Sequence, residues 1–292
     1  MAKDYASLLS SDSAWPELEK EIAASGNGPL VLPAGDERRD VLELLQVSTK
    51  STLGAIAHEC GGILVDHGWL RVLGSGHPKL PRSVGGWNEE VGVGLGDALI
   101  VADDVVGGVF AINGGALGDA VGNVFYFAPD TLEWEDTELR HSDWMGWVLT
   151  GDLAKFYETF RWAGWEKEVE ALNGDQSIHF WPPAWSEEGA NIAAASRKTV
   201  PAAELFAWMF DEAAGDEDDE ALVAEGTVLT DRSALTPVRN SWRVARHVQQ
   251  SPHRESRRDR LPRDPYLQAP RHRHRGRLLR RRRGHAPRAR RR

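Results

Sequence analysis

The sequence predicts an α+β fold, a curved antiparallel sheet (a meander) with helices packed on it, and three observations predict it. First, residues 101–135, VADDVVGGVFAINGGALGDAVGNVFYFAPDTLEWE, hold short β-branched or aromatic runs separated by Asn-Gly-Gly, Gly-Asp and Pro-Asp, which are turn formers. Second, segments with helical spacing precede and follow this region rather than alternate with it, so strands run together and helices run together. Third, 292 residues with 41% apolar content suffice for a sizeable core.

Taken in order, SAWPELEKEIAAS (13–25) places Trp15, Leu18 and Ile22 at helical spacing, with Ser13 as N-cap and Pro16 tolerated in the first turn. GNGPLVLPAG reads as a break, and DERRDVLELLQ as the start of a helix or strand. STLGAIAHECGG reads as a helix that Gly61 and Gly62 end through positive φ. ILVDHGWLRVLGS and ALIVADDV are apolar runs bounded by Gly and Asp, and so strands. GGVFAING, GNVFYFAP and TLEWEDT continue them as a meander. Residues 142–172 set Trp144, Trp147, Val148, Leu153, Phe156 and Phe160 along an aromatic helical face, broken near Gly151 and Gly164. NGDQSIHFWPPAWSEEG reads as a loop with a short strand at 178–181, and VPAAELFAWMFDEA as a last helix before GDEDDE. The organisation expected is one α+β domain at 13–214, an acidic-to-polar linker at 215–237 and a disordered Arg-rich tail at 238–292.

The net charge of −9 hides two populations: residues 238–292 carry 20 Arg, no Lys and three acids, whereas residues 1–237 carry 15 Lys and Arg against 41 Asp and Glu. The tail has the composition of a nucleic-acid arm, since each Arg that neutralises a phosphate releases counterions. Charge selection alone would not purge Lys, however, and the Arg, Pro, His and Ala bias is what GC-rich codons give in a shifted frame. An inert or non-native tail, too poor in apolar residues to offset its ordering entropy, is the favoured reading. The single cysteine, Cys60, excludes an internal disulfide framework, and the absence of a long apolar run or of an apolar region near the start leads us to expect a cytoplasmic protein.

The glycines of the 101–135 stretch bear on chemistry. Gly92, Gly94 and Gly96 approach a dinucleotide-binding fingerprint, but Asp97 stands where its third glycine belongs, no GK[ST] occurs, and Asp97 and Asp119 would repel phosphate. The glycines are therefore expected to let the backbone reverse direction. Asp103 and Asp104 point to opposite faces if they lie on a strand, which favours a turn initiator over a metal pair, and no histidine has the spacing of a zinc site. No metal and no cofactor is expected. Cys60 lies two residues from His58, too close on a helix for mutual activation, and Ser75 lacks a nucleophile elbow, so both are expected to be structural.

STLGAIAHECGGILVDHGWLRVLGSG, the 101–135 stretch, GDLAKFYETFRWAGWEKEV and ALNGDQ resemble, phrase by phrase, an uncharacterised bacterial family known only as a domain of unknown function, DUF2625. The resemblance covers residues 15–205 and implies no activity. The order of elements and the 103–110 phrase also resemble, more remotely, the SUKH (Smi1/Knr4-like) superfamily. That likeness implies an α+β fold with a partner-binding surface, as in immunity proteins that neutralise toxins, and transfers no catalytic residue.

The reading that follows is a non-catalytic protein-binding module whose acidic face engages a basic protein partner, with no catalytic residue and no membrane. Aromatic anchors and steering acids suit that role, and Asp103, Asp104, Trp134, Glu135, Trp181 and Trp185 are its candidate partner-binding residues. The rival is a metal- or small-ligand-dependent hydrolase built on Asp66, His67 and Asp103. Convergent carboxylates and histidine in one pocket would favour the rival; a broad acidic surface with exposed tryptophan would favour the binder.

Overall fold

The computed structural model describes residues 2–94 and 96–225, of which 216–225 as backbone only. Seven strands are neighbours in space in chain order: β1 (Leu30–Pro33), β2 (Cys60–Val65), β3 (Leu70–Leu73), β4 (Ala98–Asp104), β5 (Val109–Asn113), β6 (Asn123–Ala128) and β7 (Glu133–Arg140). Every neighbouring pair is antiparallel, so the α+β class and the meander are those the sequence predicts. A separate hairpin joins β8 (Gln176–Trp181) to β9 (Ser196–Pro201). The helices are α1 (Tyr5–Leu8), α2 (Trp15–Ala24), α3 (Arg38–Leu45), α4 (Thr52–Glu59), α5 (Val84–Glu90), α6 (His141–Thr150), α7 (Leu153–Phe156), α8 (Trp165–Glu170) and α9 (Ala202–Glu225).

Both faces of the sheet are covered, and this explains why VFAI and VFYFA read as continuous apolar runs instead of alternating ones. Phe110 and Tyr126 face one core with Trp144 and Trp147 of α6 and Phe156 of α7. Their chain neighbours Val109, Ala111, Phe125 and Phe127 face a second core with Val41 of α3, Trp87 of α5, and Phe206 and Met209 of α9.

The structure differs from the sequence reading at several elements, each for a local reason. LVLP is not a break but edge strand β1, with Pro33 at its end, a position an edge tolerates. Gly61 and Gly62 do not cap α4: Cys60 closes it in extended conformation, and both glycines belong to β2. Their smallness serves close approach, because a methyl on Gly61 would lie 2.5 Å from the Pro33 carbonyl oxygen. Helix α2 starts after Ala14; Ser13 still accepts from the Trp15 amide at 3.2 Å. Helix α5, capped by Ser83, and strand β9 carry signals that the reading passed over. Helix α9 continues through GDEDDE to Glu225, into what was expected to be linker. The rest of that linker and the Arg-rich tail lie outside the described residues.

The glycines of the 101–135 stretch serve reversals. At the β4–β5 turn the Asp104 carboxylate accepts from the amides of Val106 (3.0 Å) and Gly108 (2.8 Å) and from the Tyr126 hydroxyl (2.9 Å). At the β5–β6 connection Asn113 Oδ1 accepts from the amides of Gly115 (2.7 Å) and Leu117 (3.0 Å), while its Nδ2 donates to the Gly118 carbonyl. These amides are committed to a side chain of their own turn, Asp104 in one and Asn113 in the other. A methyl on Gly108 would overlap the Asp104 carboxylate and the Tyr126 hydroxyl. Gly108→Ala is therefore expected to cost roughly 2–4 kcal/mol, read as a lower denaturant midpoint at unchanged slope.

Candidate functional site: a cleft beside the β2–β3 turn

A cleft of about 830 Å³ opens where the β2–β3 turn meets the loop before β1, the α6–α7 loop and the end of α8. Its volume is that of a small-molecule site. Asp66, His67 and Gly68 make the turn with three successive positive φ values of 54°, 61° and 87°, a conformation that asks about 1 kcal/mol or more of each non-glycine residue. The Asp66 amide donates to the Asn27 carbonyl (2.9 Å), and Asn27 Nδ2 donates to the carbonyls of Val148 and Gly151. One turn, one loop and the end of α6 are thus tied together around the opening.

The side chains are paired. Arg161 donates to the Asp66 carboxylate, and its guanidinium lies 4.2 Å from the centre of the Trp165 ring, 5.2 Å from Trp69 and 5.7 Å from Tyr157. The aromatic cage desolvates the cation and so strengthens its hold on the carboxylate. His67 Nδ1 is 2.6 Å from Glu170 Oε1, and its ring meets the Trp165 ring edge to face at 5.6 Å. Asp152 accepts from the Lys155 amide at 2.9 Å. Arg71 reaches the cleft wall, yet its donors are committed: Nε to Asp103 (2.6 Å), Nη1 to the Gln176 carbonyl (2.5 Å), Nη2 to the Asp104 carbonyl and Ser177 Oγ, both at 3.1 Å. Arg82 donates to the other oxygen of Asp103 and, at 2.7 Å, to the Gly174 carbonyl. Burial would push the Asp103 carboxyl up, but Arg71 and Arg82 together hold it below the ordinary carboxylate range.

Of the alternative ligand residues, the structure brings Asp66 and His67 into one cleft and places Asp103 behind its wall, buried in the ion-pair cluster. The partner-binding set fares differently. Asp103 and Asp104 are both buried, so neither belongs to a docking surface: one anchors two arginines and the other ties a turn. Trp134 is half-buried against Phe127 (5.4 Å) and Phe210 (6.2 Å), and Trp185 packs on Trp208 at 4.6 Å. Glu135 is half-buried on β7 opposite Tyr126. Trp181, at the end of β8, is 63% exposed. Sequence reasoning missed Arg161 and Glu170. FRWAGW, an arginine among aromatic residues, was a usable signal for the first, whereas Glu170 meets His67 across 103 residues with no local sign.

The nucleophile candidates are structural. Cys60 is buried, its Sγ donates to the Ile56 carbonyl (3.4 Å), and burial pushes its thiol up to about 12. Ser75 Oγ donates to the Cys60 carbonyl and accepts from the Gly35 amide. His58 is engaged by the Tyr5 hydroxyl (2.7 Å) and Glu59 (2.9 Å). Iodoacetamide is expected to leave Cys60 unmodified in the native protein at pH 8 and to alkylate it fully in denaturant, which mass spectrometry reads directly. Among the described residues no three His, Cys, Asp or Glu side chains are grouped so as to hold a metal ion, and no helix is long and apolar enough to cross a membrane.

Fold and cleft define an α+β protein built on a seven-stranded antiparallel meander with both faces covered and a mixed-charge cleft at one turn. The chain belongs to the family described as protein of unknown function DUF2625, whose model matches residues 7–205. It is 43% identical over 198 residues to the uncharacterised protein YbfG of Escherichia coli (strain K12), covering 67% of this chain and 89% of that one. It is 38% identical over 175 residues to an uncharacterised protein of Haemophilus influenzae, covering 58% and 77% respectively. No solved structure matches it. Every residue lining the cleft falls within the family match.

Proposed function

We propose that the protein is a non-catalytic binding module and that the cleft at Asp66 and His67 is its recognition centre. The observation that carries this reading is the prior pairing of the charged wall: Asp66 with Arg161 and Glu170 with His67. Paired and caged groups present a fixed surface to a ligand and spend no reorganisation on binding it, which suits recognition. The hydrolase reading loses Asp103 to the ion-pair cluster, and among the described residues no Ser, Thr or Cys lines the cleft. What favours it still is the convergence of Asp66, Asp152 and Glu170 with His67 in one cleft, and the His67–Glu170 contact, a carboxylate orienting an imidazole as in a general base. Thermal-shift screening of the full chain against a metabolite set tests both. A binder should raise the melting temperature without consuming it, by an amount that corresponds to about 2.7 kcal/mol at a hundredfold excess over Kd. Leu30→Trp, a change at an exposed rim position that fills the opening, should abolish the shift. Turnover of the stabilising compound would move the protein to the hydrolase class.

A second reading, an immunity-type module that neutralises a basic toxin domain, is supported by the excess of acids in residues 1–237 and by the exposed Trp181. Exposed tryptophan anchors protein interfaces, and a single-sign surface steers an oppositely charged partner. Affinity purification of residues 1–237 with and without Trp181→Ala tests it: a basic protein recovered only with tryptophan present supports the reading, and identical recovery from the two removes it.

A further inference from the structure

We infer that the cleft receives a small amphipathic anion, an apolar body ending in one acidic group, with Lys79 taking the acidic end. The inference rests on the cleft being the recognition centre. Three acids line it, and each has its partner: Asp66 has Arg161, Glu170 has His67, and Asp152 accepts the Lys155 amide. A cationic ligand would have to compete with Arg161 at Asp66 and with His67 at Glu170. The cations are not all so engaged. Lys79 lines the cleft, is exposed, and has no ion-pair partner among the described residues, while the donors of Arg71 are committed to the interior. In a body where 15 Lys and Arg face 41 Asp and Glu over residues 1–237, the cleft is locally balanced, with Lys79, Arg71 and Arg161 against Asp66, Asp152 and Glu170.

The apolar half of the ligand has its own support. Leu30 and Leu64 stand opposite each other in the β1–β2 pair, and both line the cleft with Val105 and Leu172. Leu30 is 49% exposed, one of few large apolar side chains left in solvent among the described residues. An apolar surface in the same cleft as an ammonium with no ion-pair partner among the described residues matches an organic acid with a hydrocarbon or aromatic body, whereas a bare phosphate or a sugar would leave the leucines wet.

Fluorescence titration of the full chain with anilinonaphthalene sulfonate, an aromatic body with one anionic group, and with the uncharged phenylnaphthylamine tests this. Saturable binding of the sulfonate is expected, weakened about tenfold or more by Lys79→Glu through loss of the ion contact and its reversal. The uncharged dye should keep its affinity in Lys79→Glu and lose it, with the sulfonate, in Leu30→Asp. Equal sulfonate affinity in the wild type and Lys79→Glu, with both dyes still sensitive to Leu30→Asp, would overturn the anion inference and leave the cleft as recognition centre. Binding of neither dye, or indifference of both to Leu30→Asp, would overturn the cleft reading as well. Lys79 is exposed, so unchanged melting temperatures for its variant are expected and separate these outcomes from misfolding.

Discussion

Asp103→Ala is expected to destabilise the protein by about 3–5 kcal/mol, because it strands two buried guanidinium groups that the carboxylate now neutralises. Arg71 and Arg82 are both buried, and both reach Asp103. They also hold the carbonyls of residues 174 and 176, so the cluster fastens the segment before β8 to the central sheet. Chemical denaturation should show a lower midpoint, and the cleft, whose wall includes Arg71 and Gly174, should loosen at the same time. Asp103→Asn keeps the shape without the charge and should recover only part of the loss. The sign of the pH dependence is fixed by the depressed carboxyl: its stabilisation is present above the ordinary carboxylate value of 3.8 and is lost as pH falls through the folded value. If Asp103→Ala left the midpoint within about 0.5 kcal/mol, the cluster would not be the fastening described.

The second large effect comes from His141, which opens α6 in the core. It is 9% exposed, both its ring nitrogens lack a hydrogen-bond partner, and burial pushes it from 6.5 down to about 4. The unfolded chain therefore binds a proton that the folded chain refuses between these values. Stability is fully present above about pH 6.5 and falls as pH is lowered towards 4, by about 3 kcal/mol in total. His141→Phe keeps an aromatic ring near Trp144, 5.7 Å away, and should flatten the stability profile over that window. A profile with the same slope in the variant would show that the proton is taken up elsewhere.

How much of this was legible in the sequence depended on whether the governing contact was local. Strands β4 to β7 were readable because their turns carry their own chemistry: Asp104 and Asn113 bind amides two to four residues away, and such residues announce themselves in any sequence. Gly61 and Gly62 were misread because two glycines after a helix satisfy the rule for a cap, whereas the reason for Gly61 is the proximity of Pro33, far along the chain. Asp103 and Asp104 looked like a surface pair because carboxylates are seldom buried; the two arginines that justify burial lie 32 and 21 residues away from Asp103. The cleft was half visible. Asp66 and His67 stood out as an acid and a histidine in one turn, but Arg161 and Glu170 come from a helical region 95 and 103 residues further on, and only folding brings them there.

The sheet keeps its strands in chain order, and this has a consequence for how the molecule can be made. Each strand finds its partner in the segment synthesised just before it, so pairing can follow the chain off the ribosome without waiting for a distant stretch. Cover arrives late for both faces: α6 and α7, with Trp144, Trp147 and Phe156 of the first core, follow the meander, and α9, which supplies Phe206 and Met209 to the second, emerges after them. Until they do, the nascent sheet is wet and sticky, a window in which a chaperone has something to hold.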